Sequence, residues 1–130
     1  MIVVDSSVWI GQLRQSGSHA VDKLESIRNP TSTILVSDLI LLEILQGARD
    51  DRNAVRIERE LRVFRIAQML DRAIAVKAAS NYRMLRAHGI TVRKTTDLII
   101  ATFCVERGHS LLHDDRDFDV LASHLGLAIV

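Results

Sequence analysis

A chain of 130 residues has room for one compact domain and little more. Apolar residues make up 48 % and charged residues 25 %, which excludes an intrinsically disordered chain and supplies a core of Ile, Leu, Val and Ala. The only cysteine, Cys104, excludes an internal disulfide and a cysteine-rich zinc centre, and a net charge of +1 weighs slightly against a nucleic-acid protein, less so if several acids share one metal site.

Met1-Ile2-Val3-Val4-Asp5 has neither a basic region nor a long apolar stretch, so no signal peptide is expected. Ile2-Val3-Val4 reads as a short strand buried on both faces. Ser6 or Ser7 is placed to cap a short helix patterned by Val8, Trp9 and Leu13, and Val21, Leu24 and Ile27 mark a second helix ended by Asn29-Pro30. Ile34-Leu35-Val36 is the second strand, with Ser37 as N-cap of a helix from Asp38 to about Ala48. The window Ile34 to Leu45 is interrupted by Ser37, Asp38 and Glu43, too polar and too short for a membrane span, and a reducing cytoplasm is the expected location.

Asp51 to Val63 is heavily charged and predicts an exposed, salt-bridged helix, with arginines 49, 52, 56, 59 and 62 set among Asp50, Asp51, Glu58 and Glu60. Phe64 to Gln68 is a weak third strand. Asp71 opens a long helix to His88, closed by Gly89, and Thr95 or Thr96 caps another from Asp97 to Arg107, closed by Gly108. Ser110-Leu111-Leu112 is the fourth strand, Phe118, Leu121, Ala122 and Leu125 line a last helix, and Leu127 to Val130 forms a short terminal strand. Strands alternating with helices predict an α/β/α sandwich around a mainly parallel sheet, as a single domain over residues 1–130.

Such sheets bind ligands beyond the carboxyl ends of their strands, and four acidic positions gather there. Asp5 follows the first strand directly. Glu43 sits in a helix that is apolar nearly all round, where an ionised carboxylate is costly without a cation. Asp97 opens a buried helix whose amino end faces the same rim. His113-Asp114-Asp115-Arg116-Asp117 follows the fourth strand, and a divalent cation would relieve repulsion among its acids, with Asp114 the one best read as a solvated turn residue. Oxygen ligands without cysteine or a histidine pattern suit Mg²⁺ or Mn²⁺, ions well matched to phosphodiester hydrolysis. Arg93 and Lys94, just before Asp97, are candidates for phosphate contact. Trp9 is expected to be a packing residue, and Cys104 to be inert on a buried helix face.

At these residues the sequence resembles the PIN-domain family and, within it, the VapC toxins. Val4 to Ile10 is similar to the first motif, Ser37 to Gly47 with Glu43 to the second, Thr96 to Ala101 with Asp97 to the third, and Leu111 to Phe118 to the last. The resemblance implies a PIN-like fold, a homodimer and a Mg²⁺- or Mn²⁺-dependent endoribonuclease. It carries metal binding onto Asp5 and Asp97, and it places Glu43 and Asp115 in the same pocket, with Asp117 as a second candidate. It implies a cognate VapB antitoxin whose basic residue enters the acidic pocket. His113 departs from the threonine or serine common in the last motif, and is expected to be structural.

Three other readings compete. A phosphoryl-accepting receiver domain needs an acid after the third strand, where Phe64 to Gln68 offers none. A haloacid-dehalogenase-like phosphatase needs a second Asp two residues after the first, where Ser7 stands. The remaining alternative is a PIN-fold RNA- or protein-binding module without catalysis.

Overall fold

The computed structural model describes all residues, 1–130. Four short strands form one parallel sheet: β1 (Ile2–Val4), β2 (Ile34–Ser37), β3 (Arg65–Ala67) and β4 (Ser110–Leu112). Their order across the sheet is β3-β2-β1-β4. The central pair is the most apolar, and Val3, Val4, Ile34 and Val36 have no exposed surface, as strands covered on both faces require.

The helices α1 (Ser6–Leu13), α2 (His19–Ile27), α3 (Asp38–Gln46) and α4 (Asp51–Leu61) carry the chain outward from β1 through β2 to β3. The helices α5 (Arg72–Ala87) and α6 (Thr95–Arg107) bring it back across to β4, and α7 (Asp117–Leu125) follows. Right-handed crossovers running in opposite directions put these two groups on opposite faces of the sheet. Contacts follow that division: α1 packs on α2 and α3, and α6 packs on α5 and α7. The expected α/β/α sandwich is therefore observed. The direction of travel reverses between β1 and β4, so the carboxyl ends of those two strands form the switch point of the fold.

Local chemistry explains the boundaries. Ser37, fully buried, accepts from the Ile40 N–H at 3.0 Å and starts α3. Asp71 does the same for α5 through the Ile74 N–H at 2.8 Å. Gly108 ends α6 in the left-handed conformation at φ 71°, which turns the chain directly into β4.

Four expectations need correction. The first helix is capped by Asp5, whose side chain accepts from the Ser7 N–H, and not by a serine. Helix α6 begins at Thr95 with Lys94 at its N-cap and no side-chain cap bond, so neither threonine caps it. Helix α4 is not an exposed rod held by salt bridges. It buries Asn53, Ile57 and Leu61, and its one ion pair joins Arg62 to Glu58 at 2.8 Å. Residues 127–130 make only a single parallel bridge, Leu111 to Ile129, because two hydrogen bonds to Leu111 are all that the chain end forms there. No helix is long and apolar enough to cross a membrane.

Candidate metal centre

Asp5 leaves β1 into the switch point. It is 4 % exposed, and its backbone N–H still bonds the Leu112 carbonyl of β4 at 2.9 Å. Its Oδ2 accepts from the Ser7 N–H at 3.0 Å and from the Ser7 hydroxyl at 2.6 Å. The Ser7 Oγ in turn accepts from the Asp114 N–H at 3.1 Å. Ser7 thus links the ends of the two strands and fixes the orientation of the Asp5 carboxylate. Asp5 Oδ1 forms no hydrogen bond within the protein.

Asp97 lies in the first turn of α6, whose amino end reaches the same rim because α6 runs antiparallel to the strand that follows it. It too is only 4 % exposed, and its Oδ2 is buried without a hydrogen-bond partner. Burial, followed by the charges of Asp5, Asp115 and Glu43 and opposed by Lys94, pushes its carboxyl up to about 7. Oxygen atoms of Asp97, Asp115 and Asp117 lie within 4.8 Å of one another.

Glu43 projects from α3 toward this group. Burial, then the negative charge of Asp5, raises its pKa, whereas the Ser6 and Thr96 hydroxyls and the Lys94 ammonium favour the ionised form. Its Oε1 is a second buried carboxylate oxygen with no hydrogen bond. The expectation that α3 is buried all round is incorrect: Ile40 and Ile44 face the core, but Leu42 is 58 % exposed and Glu43 is half-buried. Burial bears on the Glu43 carboxyl more strongly than the charge of Asp5 does.

The turn after β4 supplies the remaining acids. Asp115 Oδ1 accepts from the Asp117 N–H at 3.0 Å, and this bond is the main reason its carboxyl lies below the usual range. The Asp115 N–H donates to His113 Nδ1 at 3.1 Å, while His113 Nε2 is 3.5 Å from Asp119 and the ring packs on Phe118. His113 therefore performs the turn-holding task that a hydroxyl side chain could perform, as a structural histidine. Asp114 is exposed and contributes its backbone only.

Of the acids read from the sequence, Asp97, Asp115 and Asp117 thus form the close group, and Asp5 and Glu43 bear on Asp97 through their charge. Lys94 is one of two candidates for phosphate contact in the sequence. In the structure its Nζ is 3.0 Å from Asp115 Oδ2 and 3.7 Å from Asp97 Oδ2. The sequence signal for that contact is the spacing of a lysine three residues before an aspartate on a helix. Beside the cluster lies a cleft of about 210 Å³ lined by Thr91, Arg93, Lys94, Asp97, Asp117 and Val120 among others. Trp9 and Cys104 are packing residues: Trp9 donates to the Val4 carbonyl and tilts against Phe64 at 5.2 Å. Cys104 has no exposed surface, and burial pushes its thiol up to about 12.

A family model, the PIN domain, matches residues 2–123. The chain belongs to the PIN-domain family. Within that family it groups with the VapC ribonucleases: it is 36 % identical to Ribonuclease VapC11 of Mycobacterium tuberculosis over 124 residues, 94 % of this chain and 92 % of that protein. The VapC ribonuclease Mb1587 of Mycobacterium bovis matches to the same extent. Among solved structures, VapBC2 from Rickettsia felis, bound to a DNA fragment from its promoter, superimposes with a TM-score of 0.78 over 100 % of this chain and 98 % of that one at 16 % identity. VapC20 of Mycobacterium tuberculosis, described as a toxin that cleaves the sarcin–ricin loop, gives 0.66 over 93 % and 95 % at 19 % identity. At such identities the two structures establish a shared PIN fold.

Proposed function

We propose that this PIN-domain protein is a Mg²⁺- or Mn²⁺-dependent endoribonuclease, the toxin of a type II toxin–antitoxin pair. The observation that carries the reading is the buried, unpartnered Asp97 Oδ2 in a close group with Asp115 and Asp117, with a second buried, unpartnered carboxylate oxygen at Glu43 Oε1. Leaving such groups unpaired is expensive, and a hard divalent cation is the ligand that an all-oxygen set satisfies.

Asp5, Glu43, Asp97 and Asp115 are the residues that would hold the ion, with Asp117 in reach. When bound, a divalent ion polarises a phosphoryl oxygen, acidifies water and offsets charge on the leaving 3′-oxygen. The protein's own part is positional. Ser7 holds Asp5 in one orientation, and the Asp117 N–H and His113 hold the Asp115 turn. The exposed Arg93 lines the neighbouring cleft, where its guanidinium can pair with an RNA phosphate and seat the backbone beside the acids. Hydrolysis then adds water across the P–O3′ bond, and the departing oxygen takes up a proton.

The partners in this reading are an RNA substrate, a second copy of the chain and a VapB-type antitoxin. Complexes named VapBC from Rickettsia felis and Salmonella typhimurium, both bound to DNA, support the antitoxin. An apolar groove of about 490 Å³ between α5 and α6, lined by Leu70, Ala75, Ala79, Tyr82 and Ile99, supports self-association. Cleavage of total RNA by the purified protein should appear with Mg²⁺ or Mn²⁺, vanish with EDTA, and be absent from Asp5→Asn. A folded wild-type protein that binds RNA but leaves it intact with either ion would point to a binding module instead.

A further inference from the structure

We propose that the Lys94 ammonium is a tethered counter-ion of the acidic cluster, occupying part of the cation position and displaced when a divalent ion binds. The proposal rests on the metal reading given above and adds a device that sets how tightly the ion is held.

Three observations carry it. Lys94 Nζ bonds Asp115 Oδ2 at 3.0 Å and lies 3.7 Å from Asp97 Oδ2, so it bridges an acid of α6 and an acid of the turn after β4. The field of its charge extends further: Lys94 favours the ionised forms of Glu43 and Asp97, and Asp5 favours the charged form of Lys94. One ammonium thus contacts two of the acids assigned to the ion directly. Its fit is nevertheless incomplete, because the buried Asp97 Oδ2 has no hydrogen bond despite the nearby charge. A single positive charge offsets only part of a cluster of this size, and the place is left open to a stronger cation.

The lysine is also free to leave. It stands at the N-cap of α6 without making a side-chain cap bond, and its side chain is 53 % exposed. The cleft lined by Thr91, Arg93, Asp117 and Val120 adjoins it, so the flexible stem can swing aside without repacking the core. A divalent ion must break the Lys94–Asp115 bond and then tolerate a nearby like charge. Both effects weaken its affinity. Conversely, without the ion, Lys94 limits repulsion among carboxylates held together by the fold. Lysine at this position therefore trades metal affinity for stability of the metal-free protein.

The test measures Mn²⁺ binding by calorimetry at pH 8, without RNA, for wild type, Lys94→Met and Lys94→Arg. Lys94→Met should bind Mn²⁺ about tenfold more tightly than wild type, and should melt lower than wild type in EDTA. Lys94→Arg, which keeps the charge, should bind within about threefold of wild type. Equal or weaker Mn²⁺ binding by Lys94→Met overturns the counter-ion proposal while leaving the metal site standing. Absence of Mn²⁺ binding in all three proteins removes the metal reading, and this proposal with it.

Discussion

Asp97 occupies a position that folding alone would not choose. Its carboxyl is nearly inaccessible, one oxygen lacks a partner, and three other acids bear on it. Asp97→Asn removes a charge that burial penalises while keeping the shape. In EDTA at pH 8 that variant should melt higher, by about 4 °C if the relief is about 1 kcal/mol in a domain this long. The same variant should lose at least about 100-fold in metal-dependent RNA cleavage, measured on a defined oligonucleotide. A variant that melts lower and cleaves normally would make Asp97 a structural residue. Asp5 and Asp97 were legible in the sequence because a strand end and a helix start fix their place along the rim. The spacing of three hinted at the Lys94–Asp97 approach, but the shorter Lys94–Asp115 bond was not legible, because it joins residues 21 apart and a long side chain selects its partner by rotamer. Glu43 was found for a partly mistaken reason, since the exposed Leu42 shows that the apolar run does not bury α3 all round.

At the scale of elements, the helices deliver the acids, so their caps and packing should register in activity. Ser37 is fully buried and caps α3, the helix that carries Glu43. Ser37→Ala should cost about 1–2 kcal/mol in denaturant unfolding, because a buried N–H of Ile40 loses its acceptor. It should also weaken Mn²⁺ binding, as Glu43 loses the fixed origin of its helix. On the opposite face, the Asn81 side-chain amide of α5 donates to the Thr102 hydroxyl of α6 at 3.0 Å within the core. Thr102→Val should destabilise by about 1–3 kcal/mol by stranding that amide, and pairing it with Asn81→Leu should recover part of the loss. Helix α4 shows where pattern reading stops. Its many arginines suggested salt bridging, yet Asn53, Ile57 and Leu61 recur at a spacing of four and place one face in the core. The charged residues outnumber the apolar ones, and only the spacing reveals which face is inside. The terminal segment differs: it meets the sheet at one point only, the parallel bridge between Leu111 and Ile129.

For the whole molecule, a parallel sheet covered by helices was legible in the alternation of strands and helices, but the order β3-β2-β1-β4, with its reversal between β1 and β4, follows from tertiary pairing. That reversal brings residues 5, 97 and 115 together from far-apart stretches of chain, and it gives the metal-free fold a characteristic response to pH. The Asp97 carboxyl is raised from 3.8 to about 7 in the folded protein, and that of Glu43 is raised as well. Between those limits these two carboxyls bind more protons in the folded state than in the unfolded chain, so their contribution to stability falls as pH rises. Asp115 shifts downward, and its contribution changes only below the ordinary carboxylate range, outside this window. In EDTA the melting temperature of wild type, taken relative to an Asp97→Asn reference, should therefore decline from about pH 4.5 to pH 7.5; the reference subtracts part-buried His109, whose lowered pKa acts in the opposite direction. Saturating Mn²⁺ should reverse the slope, because the ion requires the deprotonated acids and binds more tightly as pH rises. A melting temperature in EDTA that climbs steadily through this window, in wild type but not in the reference, would mean that Asp97 is ionised in the fold without any cation. The cluster would then have some other means of tolerating its charge.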